Sequence, residues 1–256
     1  MPKPVLTIGM IVKNEIRCLE RCLKALQPLR DALPCELIIA DTGSDDGTRE
    51  IAEKYADLVF DFPWINDFSA ARNSVMDRAS GEWFISVDAD EYLDEDCSEI
   101  INFLKNSQTD NQTFCGVIIR NYATSDLVGP YNDFMAIRMV RMSTGVRYHG
   151  AIHEMWNQSS SLHIHGLKKT VFHHDGYVGF GTEAAKDKQK RNMDLLKEEL
   201  KRDPHNLKTL MQAIDSSVGT DDHVKYIHTA LKGIRKKNPS WKDLGPVIFR
   251  SAVNAA

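Results

Sequence analysis

Two aspartates that directly follow an apolar run are the residues of this sequence best suited to chemistry. The run at 83–87 has the length and composition of a buried strand, and Asp88, Asp90 and Glu91 come after it. Two carboxylates at positions i and i+2, just past the end of a strand, can turn toward one point. Carboxylate oxygens suit Mg²⁺ or Mn²⁺, and such an ion suits a diphosphate. The pattern therefore predicts a metal-assisted nucleotide site.

The Asp-x-Asp triplet is a weak signal by itself. A chain of this composition contains about two such triplets by chance, and this sequence has two, Asp88–Asp90 and Asp94–Asp96. We interpret the second as the solvated start of a helix, where acidic side chains interact favourably with the helix dipole. The first gains weight from the elements that precede it.

Apolar runs and amphipathic segments alternate up to residue 90, in the order β-α-β-α-β-α-β. The strands are predicted at Val5–Val12, Leu37–Ala40, Leu58–Phe60 and 83–87. This order predicts an α/β fold with a mostly parallel open sheet and helices on both faces. Ligands of such sheets bind at the carboxyl ends of the strands, which here carry Asn14 and Glu15, Asp41–Asp46, and Asp88 with Asp90. An edge this acidic favours a ligand that donates hydrogen bonds, together with a cation.

Four polar blocks then suggest a family. They are Met10–Glu15, Asp41–Thr48, Asp67–Asn73 and Asp88–Glu91. In this order and spacing they resemble the successive signatures of family-2 glycosyltransferases with the GT-A fold, a Rossmann-like architecture, over roughly residues 4–180. The resemblance implies an inverting transferase whose nucleotide-sugar donor, with UDP as the favoured nucleotide, lies at the strand ends.

The resemblance also implies roles for individual residues. Glu15, Asp41 and Ser44 would bind the donor around its base, and Arg72 and Asn73 would lie near the donor. Asp88 would lie near the ribose and the metal, and Asp90 would ligate Mn²⁺ or Mg²⁺ directly. Alternatives stay open: Asp41 and Ser44 can simply bond their own loop, and Arg72 can pair with a surface acid.

The segment Arg147–Glu154 ends in Ile-His-Glu. It resembles a subgroup that includes bacterial peptide S-glycosyltransferases and lipooligosaccharide core glucosyltransferases. An inverting transfer needs a carboxylate that deprotonates the acceptor, and Glu154 is the candidate by position; the alternative is that Glu154 anchors a loop. We predict strands at Phe114–Arg120 and Phe134–Met142, and an acceptor-side loop at Asn121–Asp133 between them. The acceptor would be a glycan, a lipid-linked sugar or a peptide.

Six of the nine histidines lie between residues 149 and 174. We interpret His163 and His165 as structural or surface residues. The segment His173–Tyr177 resembles a His-x-Gly-Tyr segment of the same subgroup, which implies that His174 is a further metal contact. The alternative is that His174 is a core histidine that hydrogen bonds satisfy.

The character of the chain changes near residue 183. Residues 1–182 carry 17 Lys and Arg against 26 Asp and Glu (net −9), whereas residues 183–256 carry 15 against 10 (net +5). We therefore predict a catalytic domain at 1–182 and a small α-helical module at 183–256. The spacing from Asp203-Pro204 to Asn238-Pro239 is close to the period of about 34 residues in tetratricopeptide repeats. A single repeat of this kind should pack on the catalytic domain or on a second subunit, and the second case is a homodimer through the helical module.

The remaining features set the cellular context and the rival functions. Five cysteines without disulfide-scaffold density fit a reducing compartment, and the sequence has neither a signal-peptide pattern nor a long apolar run. We expect a cytoplasmic protein with optional peripheral membrane contact and without a nucleic-acid partner. The rivals are a catalytically inactive sugar-nucleotide-binding or helical-repeat scaffold protein and, less favoured, a haloacid-dehalogenase-like phosphatase, which also uses Asp-x-Asp but on an early strand.

Overall fold

The computed structural model describes residues 3–106, 113–122, 124, 126–157, 164–175, 183–217, 220 and 222–236. The chain divides into two compact units. The first comprises Met1–Gly150 with Glu154–Val178, and the second comprises Ala151–His153 with Gly179–Ala256. The sequence-based boundary between residues 182 and 183 stays a prediction.

An eight-stranded sheet forms the centre of the first unit, in the order β3-β2-β1-β4-β7-β6-β10-β5. Its strands are β1 (Leu6–Val12), β2 (Cys35–Asp41), β3 (Leu58–Asp61), β4 (Trp83–Ser86), β5 (Glu91–Leu93), β6 (Phe114–Tyr122), β7 (Tyr131–Arg141) and β10 (Ile164–His174). The strands β1 to β4 pair in parallel, and β6 is parallel to β10. By contrast, β7 and β5 run antiparallel to their neighbours. A separate antiparallel pair joins β8 (Tyr148–His149) and β9 (Met155–Trp156). The predicted mostly parallel α/β sheet is confirmed.

The strands β1, β2 and β4 are buried on both faces, which explains their near-continuous apolar character. The helices of this unit are α1 (Leu19–Ala25), α2 (Gln27–Ala32), α3 (Thr48–Tyr55), α4 (Phe68–Met76) and α5 (Ser98–Asn106). Alternate residues of β2 enter two different clusters: Leu37 and Ile39 pack with α1, α2 and α5, and Ile38 and Ala40 pack with α4. The strand ends therefore sit on a rigid base.

The local structure differs from the sequence-based expectations at three places. The amphipathic segment after β1 becomes helical only at Leu19, and Ile16 before it is 53% exposed. The short strand β5 was not predicted. The predicted loop Asn121–Asp133 is shorter than expected: β6 continues to Tyr122 and β7 begins at Tyr131, so that its first two and last three residues belong to a pair of strands. Its polar, exposed residues lack the apolar alternation that marks a strand, and cross-strand contacts stabilise it instead, such as the two bonds between Arg120 and Asp133, at 2.8 Å each.

The second unit contains the helices α6 (Glu183–Arg202), α7 (Leu207–Ser216) and α8 (His223–Lys236). Asn206 caps α7 by accepting a hydrogen bond from the Thr209 backbone at 3.1 Å. Leu196, Ile214 and Ala230 are fully buried, so the predicted helical module is present. Its likeness to a tetratricopeptide repeat and its role in dimerisation stay predictions. No helix in the described residues is both long enough and apolar enough to span a membrane.

Candidate functional site

Two guanidinium groups bind Asp88 at the carboxyl end of β4. Arg72 from α4 donates to Oδ1 at 2.8 Å, and Arg138 from β7 donates to Oδ2 at 3.1 Å. Burial opposes the ionisation of Asp88, but the two cations outweigh it and hold the pKa of Asp88 well below its usual range. Asp88 is therefore a fixed anion whose two oxygens already have cationic partners. Its predicted role as a metal ligand stays a prediction, and this geometry does not favour it.

Glu91 lies beside Asp88 and is almost fully buried. Its carboxylate accepts hydrogen bonds from Arg138 and, at 3.1 Å, from the backbone N–H of Asp88. Burial raises the pKa of Glu91, against the attraction of Arg138. Glu91 thus serves to hold Arg138 and the turn after β4 in place.

Arg72 also binds Glu154, the candidate base. Its Nε donates to Glu154 Oε1, and a further nitrogen donates to Ser86. One guanidinium therefore joins the carboxylates of Asp88 and Glu154, which lie far apart in the sequence. The alternative that the sequence left open, a pairing of Arg72 with a surface acid, does not describe these contacts of the buried Arg72.

Asn73 follows Arg72 on α4, and its side chain forms two hydrogen bonds with the backbone of Tyr148. Its amide donates to the Tyr148 carbonyl and accepts from the Tyr148 N–H, both at 2.9 Å. Ser69, one turn earlier, donates to the carbonyl of Gly150 at 2.6 Å. Helix α4 thereby fixes the segment that leads to Glu154. The contacts give Asn73 a positioning role, and its predicted role near a donor stays a prediction.

Asp90 and His174 form a second group at this edge. His174 Nε2 lies 3.3 Å from Asp90 Oδ2. Burial opposes protonation of His174, but the Asp90 carboxylate outweighs it, so that the pKa of His174 lies above its ordinary value. Among the residues that the structure describes, no three His, Cys, Asp or Glu side chains gather into a preformed metal site. The pair supplies one oxygen and one nitrogen ligand, a set that suits an ion whose other ligands come from a bound phosphate and water.

The loops after β1 and β2 form a rigid platform beside these groups. Three successive backbone N–H groups of the first loop donate to side chains of the second loop or of the first residue of α3: Asn14 to Ser44 at 3.1 Å, Ile16 to Asp46 at 3.2 Å and Glu15 to Thr48 at 2.7 Å. Asn14 has φ 57°, a left-handed conformation that asparagine tolerates. The sequence placed Glu15 and Ser44 near a ligand; the structure adds that they tie the two loops together.

Asp41 closes the second loop on itself. Its Oδ1 accepts hydrogen bonds from the backbone N–H groups of Gly43 at 2.9 Å and Ser44 at 2.8 Å. This is the local turn that the sequence left as an alternative to ligand binding. The other carboxylate oxygen, Oδ2, has no such role in this turn.

We predict that Asp41→Ala and Asp41→Asn separate these two roles. Alanine should lower the free energy of unfolding by about 1–3 kcal/mol, because two backbone donors lose their acceptor. Asparagine keeps an acceptor oxygen and should stay within about 1 kcal/mol of the wild type. Thermal and denaturant melts measure the first effect, and UDP titration of Asp41→Asn measures the second. A loss of UDP affinity in a stable Asp41→Asn variant indicates direct ligand contact, whereas unchanged affinity limits Asp41 to the turn.

Sequence reasoning missed Arg138 and Asn121. Arg138 is the only charge within the apolar part of β7, from Phe134 to Val140, and that isolated charge was the available signal. Asn121 lay within the predicted loop. Its amide oxygen lies 2.6 Å from His174 Nδ1, a contact that depends on the pairing of β6 with β10.

The sequence is also similar to those of known proteins. Residues 7–164 match the family described as Glycosyl transferase family 2. The chain is 26% identical over 252 residues to the SPbeta prophage-derived glycosyltransferase SunS of Bacillus subtilis, an alignment that covers 92% of this chain and 55% of SunS. It is 28% identical over 106 residues to the lipopolysaccharide core biosynthesis glycosyltransferase LpsC of Rhizobium meliloti, covering 40% of this chain and 37% of LpsC. The chain thus spans about half the length of SunS, or less than half in the case of LpsC.

A solved structure resembles the fold. It is TarS 1–349 of S. aureus in complex with UDP, with a TM-score of 0.51 and 12% sequence identity over 90% of this chain and 70% of the TarS chain. At this identity the likeness concerns the fold alone. The predicted GT-A architecture is confirmed by the family match and this structural likeness.

Proposed function

Because the chain belongs to glycosyl transferase family 2, we propose that it transfers a sugar from a nucleoside diphosphate donor with inversion at the anomeric carbon. The proposed donor is a UDP-linked hexose or N-acetylhexosamine. The proposed acceptor is a glycan, a lipid-linked sugar or a peptide side chain. The name of the LpsC relative, which refers to lipopolysaccharide core biosynthesis, supports the glycan among these classes.

One observation carries the proposal. A single guanidinium, that of Arg72, joins Asp88 at the end of β4 to Glu154, from a segment more than sixty residues later. Asp90, in the same turn after β4, pairs with His174 at the end of β10. Two of the four sequence blocks that suggested a transferase therefore lie, together with the segments of Glu154 and His174, at one sheet edge, where open α/β sheets bind their ligands.

Asp90 and His174 are the residues that we propose as ligands of Mn²⁺ or Mg²⁺. Two protein ligands leave coordination positions for diphosphate oxygens and water, as is usual for an ion that binds together with a nucleotide. When bound, the ion would neutralise the charge of the departing diphosphate, a contribution of several kcal/mol. Asp88, paired with Arg72 and Arg138, would instead position this turn beside the donor.

Glu154 is the proposed general base. Its carboxylate would take the proton of the acceptor nucleophile as that atom bonds to the anomeric carbon, while the bond from this carbon to the diphosphate oxygen breaks and the nucleoside diphosphate leaves. Arg72 holds the Glu154 carboxylate through one oxygen, which leaves the other oxygen to accept the proton. The segment around Tyr148, gripped by Asn73, would keep the base in position.

Calorimetric titration tests the donor assignment. UDP, UDP-glucose and UDP-N-acetylglucosamine would be added to the full chain with and without Mn²⁺, with GDP and dTDP as controls. We expect uridine nucleotides to bind more tightly than the controls, and more tightly with Mn²⁺ than without. Absence of nucleotide binding under both conditions would overturn the proposal.

A catalytically inactive sugar-nucleotide-binding protein is the alternative. It would retain the binding expected above, so the discriminating measurement is Mn²⁺-dependent hydrolysis of the donor without acceptor. Slow release of free sugar by the wild type, lost in Glu154→Gln or Asp90→Asn, supports an enzyme. Donor binding without release of sugar, even in the presence of candidate acceptors, supports the alternative.

A further inference from the structure

Strand β10 ends in two consecutive histidines that make parallel sets of contacts. His174 bridges Asn121 on β6 and Asp90 before β5, with Nδ1 at 2.6 Å from Asn121 Oδ1 and Nε2 at 3.3 Å from Asp90 Oδ2. His173 bridges Tyr122 and Asp94, with Nδ1 at 3.0 Å from the Tyr122 hydroxyl and Nε2 at 2.8 Å from Asp94 Oδ2. Because successive side chains of a strand point to opposite faces, the two sets are separate.

The amide group of Asn121 lies between Asn132 and His174. Its Nδ2 donates to Asn132 Oδ1, on the paired strand β7, at 3.0 Å. Its Oδ1 lies 2.6 Å from His174 Nδ1. An amide oxygen accepts hydrogen bonds and does not donate them, so the hydrogen of this contact belongs to Nδ1 of His174.

This contact determines what His174 presents to Asp90. With the hydrogen on Nδ1, the lone pair of neutral His174 lies on Nε2, which faces the Asp90 carboxylate. The lone pairs of His174 Nε2 and Asp90 Oδ2 then face each other at 3.3 Å, an arrangement that a positive charge between them stabilises. A histidine that ligates a metal commonly donates its other ring N–H to an oxygen in the same way, which fixes tautomer and ring orientation.

We propose that Asn121 is a positioning residue that holds His174 in the tautomer and orientation in which Nε2 and Asp90 together bind a divalent cation. The inference rests on the metal dependence proposed above. It also assigns His174 and not His173 to the cation, since His174 contacts Asp90, the other proposed ligand, whereas His173 contacts Tyr122 and Asp94 on the other face. The alternative is that the Asn121–Asn132 bond is a simple cross-strand link with no consequence for the cation.

Mn²⁺ binding separates these possibilities. The loss of the free-Mn²⁺ electron paramagnetic resonance signal gives the Kd for Mn²⁺ in the presence of UDP. Asn121→Leu removes the acceptor and is expected to raise this Kd about tenfold or more. Asn121→Asp keeps an acceptor for Nδ1–H and is expected to restore affinity to within about threefold of the wild type.

Tyr122→Phe is the matched control. Tyr122 follows Asn121 on β6, and its hydroxyl contacts His173 on the other face of the sheet. The variant removes this one hydrogen bond and should leave the Kd for Mn²⁺ unchanged. Unchanged affinity in Asn121→Leu would overturn the inference, as would an equal loss in Tyr122→Phe. Failure of the wild type to bind Mn²⁺ with UDP would instead overturn the proposed metal dependence itself.

A spectroscopic test needs no variant to fold. Long-range ¹H–¹⁵N correlation on wild-type protein with UDP and Mg²⁺ reports which ring nitrogen of each histidine carries hydrogen. We expect His174 with hydrogen on Nδ1 and none on Nε2. Hydrogen on Nε2 of His174 under these conditions would contradict the proposed orientation.

Discussion

Asp90→Asn is expected to abolish the Mn²⁺-dependent part of UDP binding and to lower sugar transfer by about a hundredfold or more. A bound cation at a departing diphosphate contributes several kcal/mol, and each 1.36 kcal/mol corresponds to about a factor of ten in rate. Asparagine keeps the size of the side chain but removes the charge that attracts the cation. Titration of UDP with and without Mn²⁺ measures the binding effect, and a transfer or donor-hydrolysis assay measures the rate.

The variant should remain folded. Asp90 makes one side-chain ion pair, with His174, and the turn after β4 is held mainly by Asp88, Glu91 and the two arginines. Asp96→Asn is the matched control, since it changes the last acid of the other Asp-x-Asp triplet, which lies on the surface and accepts a hydrogen bond from Ser98. If Asp90→Asn binds UDP with Mn²⁺ as the wild type does, the assignment of Asp90 is wrong.

The first half of the fold could be predicted because its signals are local. The strands β1, β2 and β4 are apolar on both faces, since residues such as Leu37 and Ile38 enter opposite clusters. A run of this kind predicts a buried parallel strand. By contrast, β5 has only three residues and pairs with β10, which lies far along the chain. No pattern within three residues specifies such a partner.

The residues of the candidate site could be predicted in part, but their contacts could not. Asp88 and Asp90 could be proposed from the sequence because they follow a strand directly, and the family resemblance indicated Glu154 and His174. The contacts that bind these residues together could not be predicted, because they depend on strand pairing and helix packing. Arg138 reaches Asp88 only because β7 lies next to β4, and Asn121 reaches His174 only because β6 lies next to β10.

Glu154→Gln is expected to bind the donor as the wild type does but to transfer sugar about 10²–10⁴ times more slowly, the usual contribution of a general base. Glutamine retains an oxygen that can accept the Arg72 hydrogen bond, so the segment should keep its position. It cannot take a proton from the acceptor. Donor titration and initial rates of transfer test the two halves of this expectation separately.

The hydrogen bond to Arg72 also supports the other reading of Glu154, in which it only anchors its segment. In that case Glu154→Gln would transfer sugar at nearly the wild-type rate. Glu154→Ala distinguishes the roles further, because it leaves a buried guanidinium without one of its anions and should lower stability whichever role holds. Glu82→Gln is the matched control. Glu82 forms an ion pair with Arg141, at 2.5 Å, and contacts none of Arg72, Asp88 and Glu154. The loss of the Glu82 charge should therefore leave sugar transfer unchanged. Slow transfer by a stable Glu154→Gln variant, with normal donor affinity and a normal Glu82→Gln control, therefore requires the charge of Glu154 in the reaction itself.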